Sequence, residues 1–152
     1  MADQAETLAI KIIETLGMVG ILAVEMFVMD GKILVNEIAP RPHNSGHQTI
    51  EGTITSQYDQ HLRCILGLPL GDSSIKIPSA MVNLLGEEGY SGSAIYEGVN
   101  LVMAMPGTHV HLYGKANTKP FRKMGHVTLV DHNLDSLREK AKFVKHTLKV
   151  KA

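Results

Sequence analysis

The stretch that most limits what this chain can become is Val24 to Gln48, VEMFVMDGKILVNEIAPRPHNSGHQ. Two apolar runs flank Asp30-Gly31, a pair suited to a hairpin turn. The first run carries Glu25 and the second ends in Asn36-Glu37. A loop follows that supplies Arg41, His43, Asn44, Ser45 and His47. A carboxylate inside an apolar strand costs several kcal/mol unless it is paired or holds a metal. Two such acids on neighbouring strands, with a cationic loop just beyond, suit a cation site beside an anion site. That pairing fits a nucleotide phosphate with its magnesium.

Glu25 and Glu37 can share a metal only if both point to one face of the hairpin. A strict two-residue turn at Asp30-Gly31 pairs Val24 with Glu37 and Glu25 with Asn36, which puts the acids on opposite faces. A three-residue loop, Met29 to Gly31, pairs Val28 with Lys32. Glu25 then opposes Val35, Glu37 opposes Ala23, and the acids share a face. The second register is the one expected. The plainer alternative is a solvated Glu37 at a strand end, with Glu25 salt-bridged to a nearby cation.

The run VEMFVMDGKILVNEIAPRPHNSGH resembles the metal-binding strand pair and following loop of ATP-grasp enzymes. Within them it most resembles the 5-(carboxyamino)imidazole ribonucleotide synthetases of purine synthesis, the ATPase subunits of phosphoribosylaminoimidazole carboxylase. The likeness continues through MVNLLG (81–86), HLYGK (111–115) and RKMGH (122–126). Enzymes of that family are much longer, so the resemblance implies that this chain is a C-terminal portion. The upstream nucleotide-fold-like domain and ATP lid would lie outside it.

Composition is consistent with a soluble domain, or a domain with a small second lobe. The 152 residues are 44% hydrophobic and 20% charged, with zero formal net charge. Zero charge argues against general nucleic-acid binding and against a polybasic membrane contact. No apolar run is long enough to span a bilayer. The opening Met1-Ala-Asp-Gln-Ala-Glu is acidic, so no signal peptide is expected. Cys64 is the only cysteine, which fits a reducing cytoplasm, with burial on a helix as its plainer role.

In chain order, residues 3–16 read as an amphipathic helix capped by Asp3 and stopped by Gly17. Strands are expected at 19–29 and 32–39, ended by Pro40 and Pro42. A helix over 56–66 has Ser56 as cap, with Tyr58, Leu62, Ile65 and Leu66 forming its buried side. Leu68 to Asp72 is a turn-rich connector, giving expected domains of 1–70 and 71–152. Beyond it the pattern predicts a strand at 79–85, a helix at 94–103 weakened by Gly98, and a strand at 109–113. His109, His111 and Tyr113 share one side of that last strand. A polar loop over 114–121, a return strand at 126–131 and a helix at 134–148 follow. Leu134, Leu137, Ala141, Val144 and Leu148 should face inward on the final helix. Arg138, Lys140, Lys142 and Lys145 should form its solvated face. The expected fold class is therefore α+β: the C-terminal part of an ATP-grasp fold, mainly antiparallel sheet with flanking helices, plus a small strand–helix lobe.

The expected metal ligands are Glu25 and Glu37, with Asn36 and Glu37 facing the nucleotide. ATP-grasp enzymes often carry Glu-x-Asn here. This chain reads Glu37-Ile38-Ala39, so the third ligand stays open, and Asn36 turned away from the metal is an alternative. Arg41 can grip a phosphoryl group or carboxylate with two parallel hydrogen bonds, or can salt-bridge Glu37. The His43/His47 spacing could suggest zinc, but two prolines and Asn-Ser-Gly make a helix across both improbable. Lys115, Arg122, Lys123 and His126 flank one loop and could converge on a phosphate, or could form a solvated basic loop.

The resemblance implies more. Arg41, His43, Asn44 and Ser45 would surround carboxyphosphate or the incoming amine. Lys115, Arg122 and Lys123 would meet the 5′-phosphate of aminoimidazole ribonucleotide. The full reaction would join bicarbonate to that ribonucleotide using ATP and Mg2+. Expected partners are ATP, bicarbonate, aminoimidazole ribonucleotide, the absent N-terminal part and a second copy in a homodimer. The alternative is a non-catalytic interaction or oligomerisation domain.

Overall fold

The computed structural model describes all residues, 1–152. The chain divides into two compact units. One is Met1–Ile50 with Ile54–Ser74, and the other is Glu51–Thr53 with Ile75–Ala152.

The first unit opens with helix α1 (Ala2–Thr15). Asp3 does not cap it. The N-cap is Met1, without a side-chain bond, and Asp3 lies in the first turn, where the helix dipole favours an acid. Gly17 ends the helix in the left-handed region, φ 58°, with Met18 N–H donating to the Ile13 carbonyl. Strands β1 (Ala23–Met29) and β2 (Lys32–Ala39) form an antiparallel hairpin. Asp30 and Gly31 both have positive φ, 49° and 71°, as a two-residue type I′ turn requires. Met29 therefore pairs with Lys32, and the expected three-residue loop is not formed.

The strict turn still brings the acids together, because a bulge intervenes. Pairing runs from Met29–Lys32 to Met26–Val35 and then shifts, so that Glu25 opposes Glu37. Asn36 is the extra residue. One inserted residue reverses the alternation of β2, so both acids share a face. The hairpin itself is bare: Phe27 is 58% exposed, and Val28, Met29, Leu34, Val35 and Ile38 are also exposed. Glu25 is not buried either, since its side chain is 44% exposed. The desolvation cost expected for an acid in an apolar strand therefore does not arise in this chain.

Helix α2 (Thr49–Gly52) is a single turn, and α3 (Gln57–Ile65) follows it. Ser56 caps α3 by accepting from Asp59 N–H. Its expected apolar side is wrong: Tyr58, Leu62, Ile65 and Leu66 are exposed. Instead α3 is attached by polar side chains that read backbone groups. Gln60 donates to the Gly71 carbonyl at 2.6 Å and accepts from Gly71 N–H at 3.0 Å. His61 Nδ1 accepts from Ile21 N–H at 3.2 Å.

The second unit contains β3 (Ser79–Leu85), β4 (Gly92–Ser93), β5 (Ile95–Glu97), α4 (Val99–Met103), β6 (Thr108–Leu112), β7 (Asn117–Thr118), β8 (Lys123–Val130), α5 (Leu134–Thr147) and β9 (Lys149–Lys151). An antiparallel sheet in the order β3-β8-β6 is its centre, while β4 pairs with β7 and β5 with β9. Met124 to Leu129 of β8 are all buried. Val127 and Leu129 pack with Val102 of α4 and with Leu137, Val144 and Leu148 at α5.

The helix expected over 94–103 is a strand followed by a short helix. Gly98 separates them at φ 80°, and a Cβ there would strike the Thr147 carbonyl. β9 was not anticipated, and the return strand begins at Lys123, three residues before the expected start. Leu134 is exposed rather than inward.

Lys140 also departs from expectation, because it leaves the solvated face to donate to Asp131 Oδ2 at 2.7 Å. Lys140, the Asn133 amide and the Ser136 hydroxyl hold the Asp131 carboxyl well below its ordinary pKa. A depressed carboxylate stabilises the fold above its unfolded value, near pH 4, and loses that contribution as pH falls through the folded value. Asp131→Asn should therefore be less stable than the parent at neutral pH, with the gap closing below about pH 4. Urea unfolding at stepped pH measures this.

Candidate metal and phosphate site

The hairpin, its bulge and the loop after Pro42 bring three potential ligands together in the first unit. Ligand atoms of Glu25, Glu37 and His43 all lie within 4.8 Å of one another. His43 Nε2 is 3.3 Å from Glu25 Oε1. Its other nitrogen, Nδ1, accepts from Ser45 N–H and lies 2.9 Å from the Ser45 hydroxyl. With Nδ1 turned toward Ser45, Nε2 is the ring nitrogen that faces Glu25. Asn36 is not turned away: its Nδ2 reaches Glu25 Oε2 at 3.4 Å, a contact the bulge makes possible.

The loop supplies Arg41 in an open position. Its guanidinium folds back on the Pro42 carbonyl at 3.1 Å and forms no ion pair with Glu37. Asn44, Ser45 and Gly46 form a single 3-10 turn headed by His43. No α-helix carries His43 and His47 together, and His47 Nδ1 is engaged by Tyr58 Oη at 2.8 Å.

The second unit presents its own cations. Lys115 donates to the Lys123 carbonyl at 2.6 Å, and its Nζ lies 5.7 Å from the centre of the Tyr113 ring. Arg122 donates to the Asn117 carbonyl at 3.0 Å. None of Lys115, Arg122 and Lys123 is salt-bridged to an acid, so the loop keeps its positive charge uncompensated. His126 does not belong with them. It is 3% exposed in the middle of β8, with Nδ1 2.9 Å from Tyr113 Oη and its ring stacked on His111 at 4.4 Å. His111 in turn meets Glu51 at 2.8 Å.

Residues 1–58 match the ATP-grasp domain, and residues 79–140 match the phosphoribosylaminoimidazole carboxylase C-terminal domain. Over 151 residues the chain is 46% identical to the N5-carboxyaminoimidazole ribonucleotide synthase of Mycobacterium tuberculosis, an alignment covering 97% of this chain and 35% of that protein. The chain belongs to the N5-carboxyaminoimidazole ribonucleotide synthase family. A crystal structure of the Thermotoga maritima synthetase superposes with a TM-score of 0.93 at 51% identity, covering 99% of this chain and 42% of that one. The Aspergillus clavatus synthase, solved with ADP and 5-aminoimidazole ribonucleotide, superposes with a TM-score of 0.72 at 37% identity, covering 84% and 34%. This member of the synthase family thus spans about a third of the length of the curated relatives it matches. Its mixed helical and antiparallel fold agrees with the expected α+β ATP-grasp assignment.

The donor set of this synthase-family chain suits magnesium. Two carboxylates on one face offer the hard oxygens that Mg2+ prefers, and Glu37 is exposed. The imidazole of His43, 3.3 Å from Glu25, is better placed to orient a ligating carboxylate than to replace one. Sequence reasoning passed over Gln57 altogether. The signal available was a polar residue directly after a cap, at a position that a docked helix buries.

Proposed function

We propose that this chain is the metal- and substrate-binding portion of an ATP-dependent ligase that carboxylates aminoimidazole ribonucleotide in cytoplasmic purine synthesis. The observation that carries the reading is the facing pair Glu25 and Glu37, with His43 beside them and the Arg41 loop next in sequence. Glu25 and Glu37 would hold Mg2+, with Asn36 at the nucleotide edge. Bound there, magnesium supplies charge neutralisation for the phosphates of ATP.

The chain's own residues then have distinct tasks. Bicarbonate attacks the terminal phosphorus of ATP, the bond to the leaving ADP oxygen breaks, and carboxyphosphate forms. Arg41 stabilises the negative charge on the transferred group through charge-assisted hydrogen bonds. His43 holds the Glu25 carboxylate in place, and together with Asn44 and Ser45 it flanks the reacting group. The ribonucleotide amine attacks the carboxyl carbon, phosphate leaves, and the amine proton is lost. Lys115, Arg122 and Lys123 dock the 5′-phosphate, so that binding energy remote from the reacting amine orients it.

The test is transfer of labelled bicarbonate to the ribonucleotide, with this chain mixed with the upstream portion of a relative. Label in the product is expected. ATP hydrolysis without label transfer would contradict the carboxylase assignment. In the same assay Lys115→Ala with Arg122→Ala should raise KM for the ribonucleotide by about a hundredfold while leaving KM for ATP nearly unchanged.

A second reading is favoured by the exposed apolar hairpin, including Phe27, Val28 and Met29. Such a surface suits an assembly domain that pairs with the upstream portion or with a second copy. Concentration-dependent sedimentation of the chain alone would support self-association.

A further inference from the structure

Gln57 is 9% exposed and is the buried residue of α3. Its carboxamide spends both of its functions on the backbone of one residue. Oε1 accepts from His43 N–H at 2.8 Å, and Nε2 donates to the His43 carbonyl at 2.9 Å. Nε2 also lies 3.0 Å from His47 Nδ1. The start of α3 is tied to the same loop: Gln57 N–H donates to Thr49 Oγ1 at 2.9 Å, and that hydroxyl donates to the Gly46 carbonyl.

Gly46 explains itself by the same geometry. Its φ is not positive, so no backbone strain demands glycine there. A Cβ at 46, however, would sit 2.5 Å from Gln57 Oε1. The loop lacks a side chain where the amide passes.

Two hydrogen bonds to opposite sides of one residue's backbone fix both its position and its rotation, whereas one bond would leave it free to swing. The residue so gripped is His43, whose Nε2 is 3.3 Å from Glu25. A buried amide with lost partners is costly, so the grip persists wherever α3 is folded.

We propose that Gln57 is a positioning residue: its carboxamide clamps the His43 backbone so that the imidazole is held against the Glu25–Glu37 pair, and the clamp thereby sets the cation affinity of that pair. This rests on reading the pair as a metal centre. Partners that orient a ligating group typically change metal affinity by 10- to 100-fold, on the order expected here.

The test uses the 152-residue chain with Mn2+ alone, followed by paramagnetic broadening of amide resonances, with thermal melts on the same samples. Gln57→Met removes both hydrogen bonds at similar volume. Gly46→Ala displaces the same amide without altering it. Both should weaken Mn2+ binding about tenfold and speed amide hydrogen exchange at His43. In a His43→Ala background, Gln57→Met should cause no further loss, a non-additivity that general destabilisation would not produce. Wild-type Mn2+ affinity in both variants, or the same loss with and without His43, would overturn the role of Gln57. A parent chain that takes up no Mn2+ at all would instead overturn the metal reading, which separates the two failures.

Discussion

Glu37→Ala is expected to lower ATP turnover by at least about a hundredfold, measured on the chain supplemented with the upstream portion of the Thermotoga maritima relative. Glu25→Ala should do the same. Each acid supplies half of a facing pair that the bulge at Asn36 aligns. The remaining carboxylate cannot by itself organise a magnesium ion that demands near-octahedral oxygen donors. His43 is close enough to intervene, with Nε2 3.3 Å from Glu25, but an imidazole nitrogen does not replace the hard oxygen that is lost. Asn36→Ala should cost less, since it removes a neutral amide at the nucleotide edge and one long hydrogen bond, 3.4 Å to Glu25 Oε2, but no carboxylate. Equal losses at 36 and 37 would show that the hairpin, and not the acid pair, is what the substitutions damage.

The largest stability effect should come from the centre of the second unit. Leu129 lies on β8 with no exposure and packs in the cluster that includes Val102, Leu137 and Val144. Leu129→Ala should cost about 3 kcal/mol, the usual size for a leucine removed from a closed core, where transfer and cavity terms add. Phe27→Ala is the contrast. A phenylalanine in a core would cost as much or more, but Phe27 is more than half exposed in this chain. Its loss should shift stability by no more than about 0.5 kcal/mol. Urea unfolding of the two variants measures both.

The outline of the fold could be read from the sequence where local chemistry and burial agree. Asp30-Gly31 marked the turn, the prolines at 40 and 42 followed the end of β2, and Ser56 capped α3. What escaped depended on contacts distant in sequence. The bulge at Asn36 obeys no turn rule, so the acids share a face through a register different from the one expected. Gly98 looked like a weak point in a helix, whereas the Thr147 carbonyl needs its bare backbone. β9 is three residues long and rests on partners far off in sequence: it pairs with β5 and bridges Gly86. In α3 the apolar residues suggested a buried stripe, yet Gln57, Gln60 and His61 make the attachments. His126 looked like one more cation beside a basic loop, but the alternation of β8 turns it inward against His111. The acid pair and the basic loop were legible from their own residues; the amide that steadies His43 was not.

The most direct measurement is Mn2+ broadening of the amide spectrum of the unmodified 152-residue chain, with and without ATP. Selective broadening of Glu25, Glu37 and His43 is expected, with reversal by excess Mg2+ and loss of the effect when Glu25 and Glu37 are both replaced by alanine. Broadening that is absent, that centres elsewhere, or that survives the double replacement would contradict the metal reading.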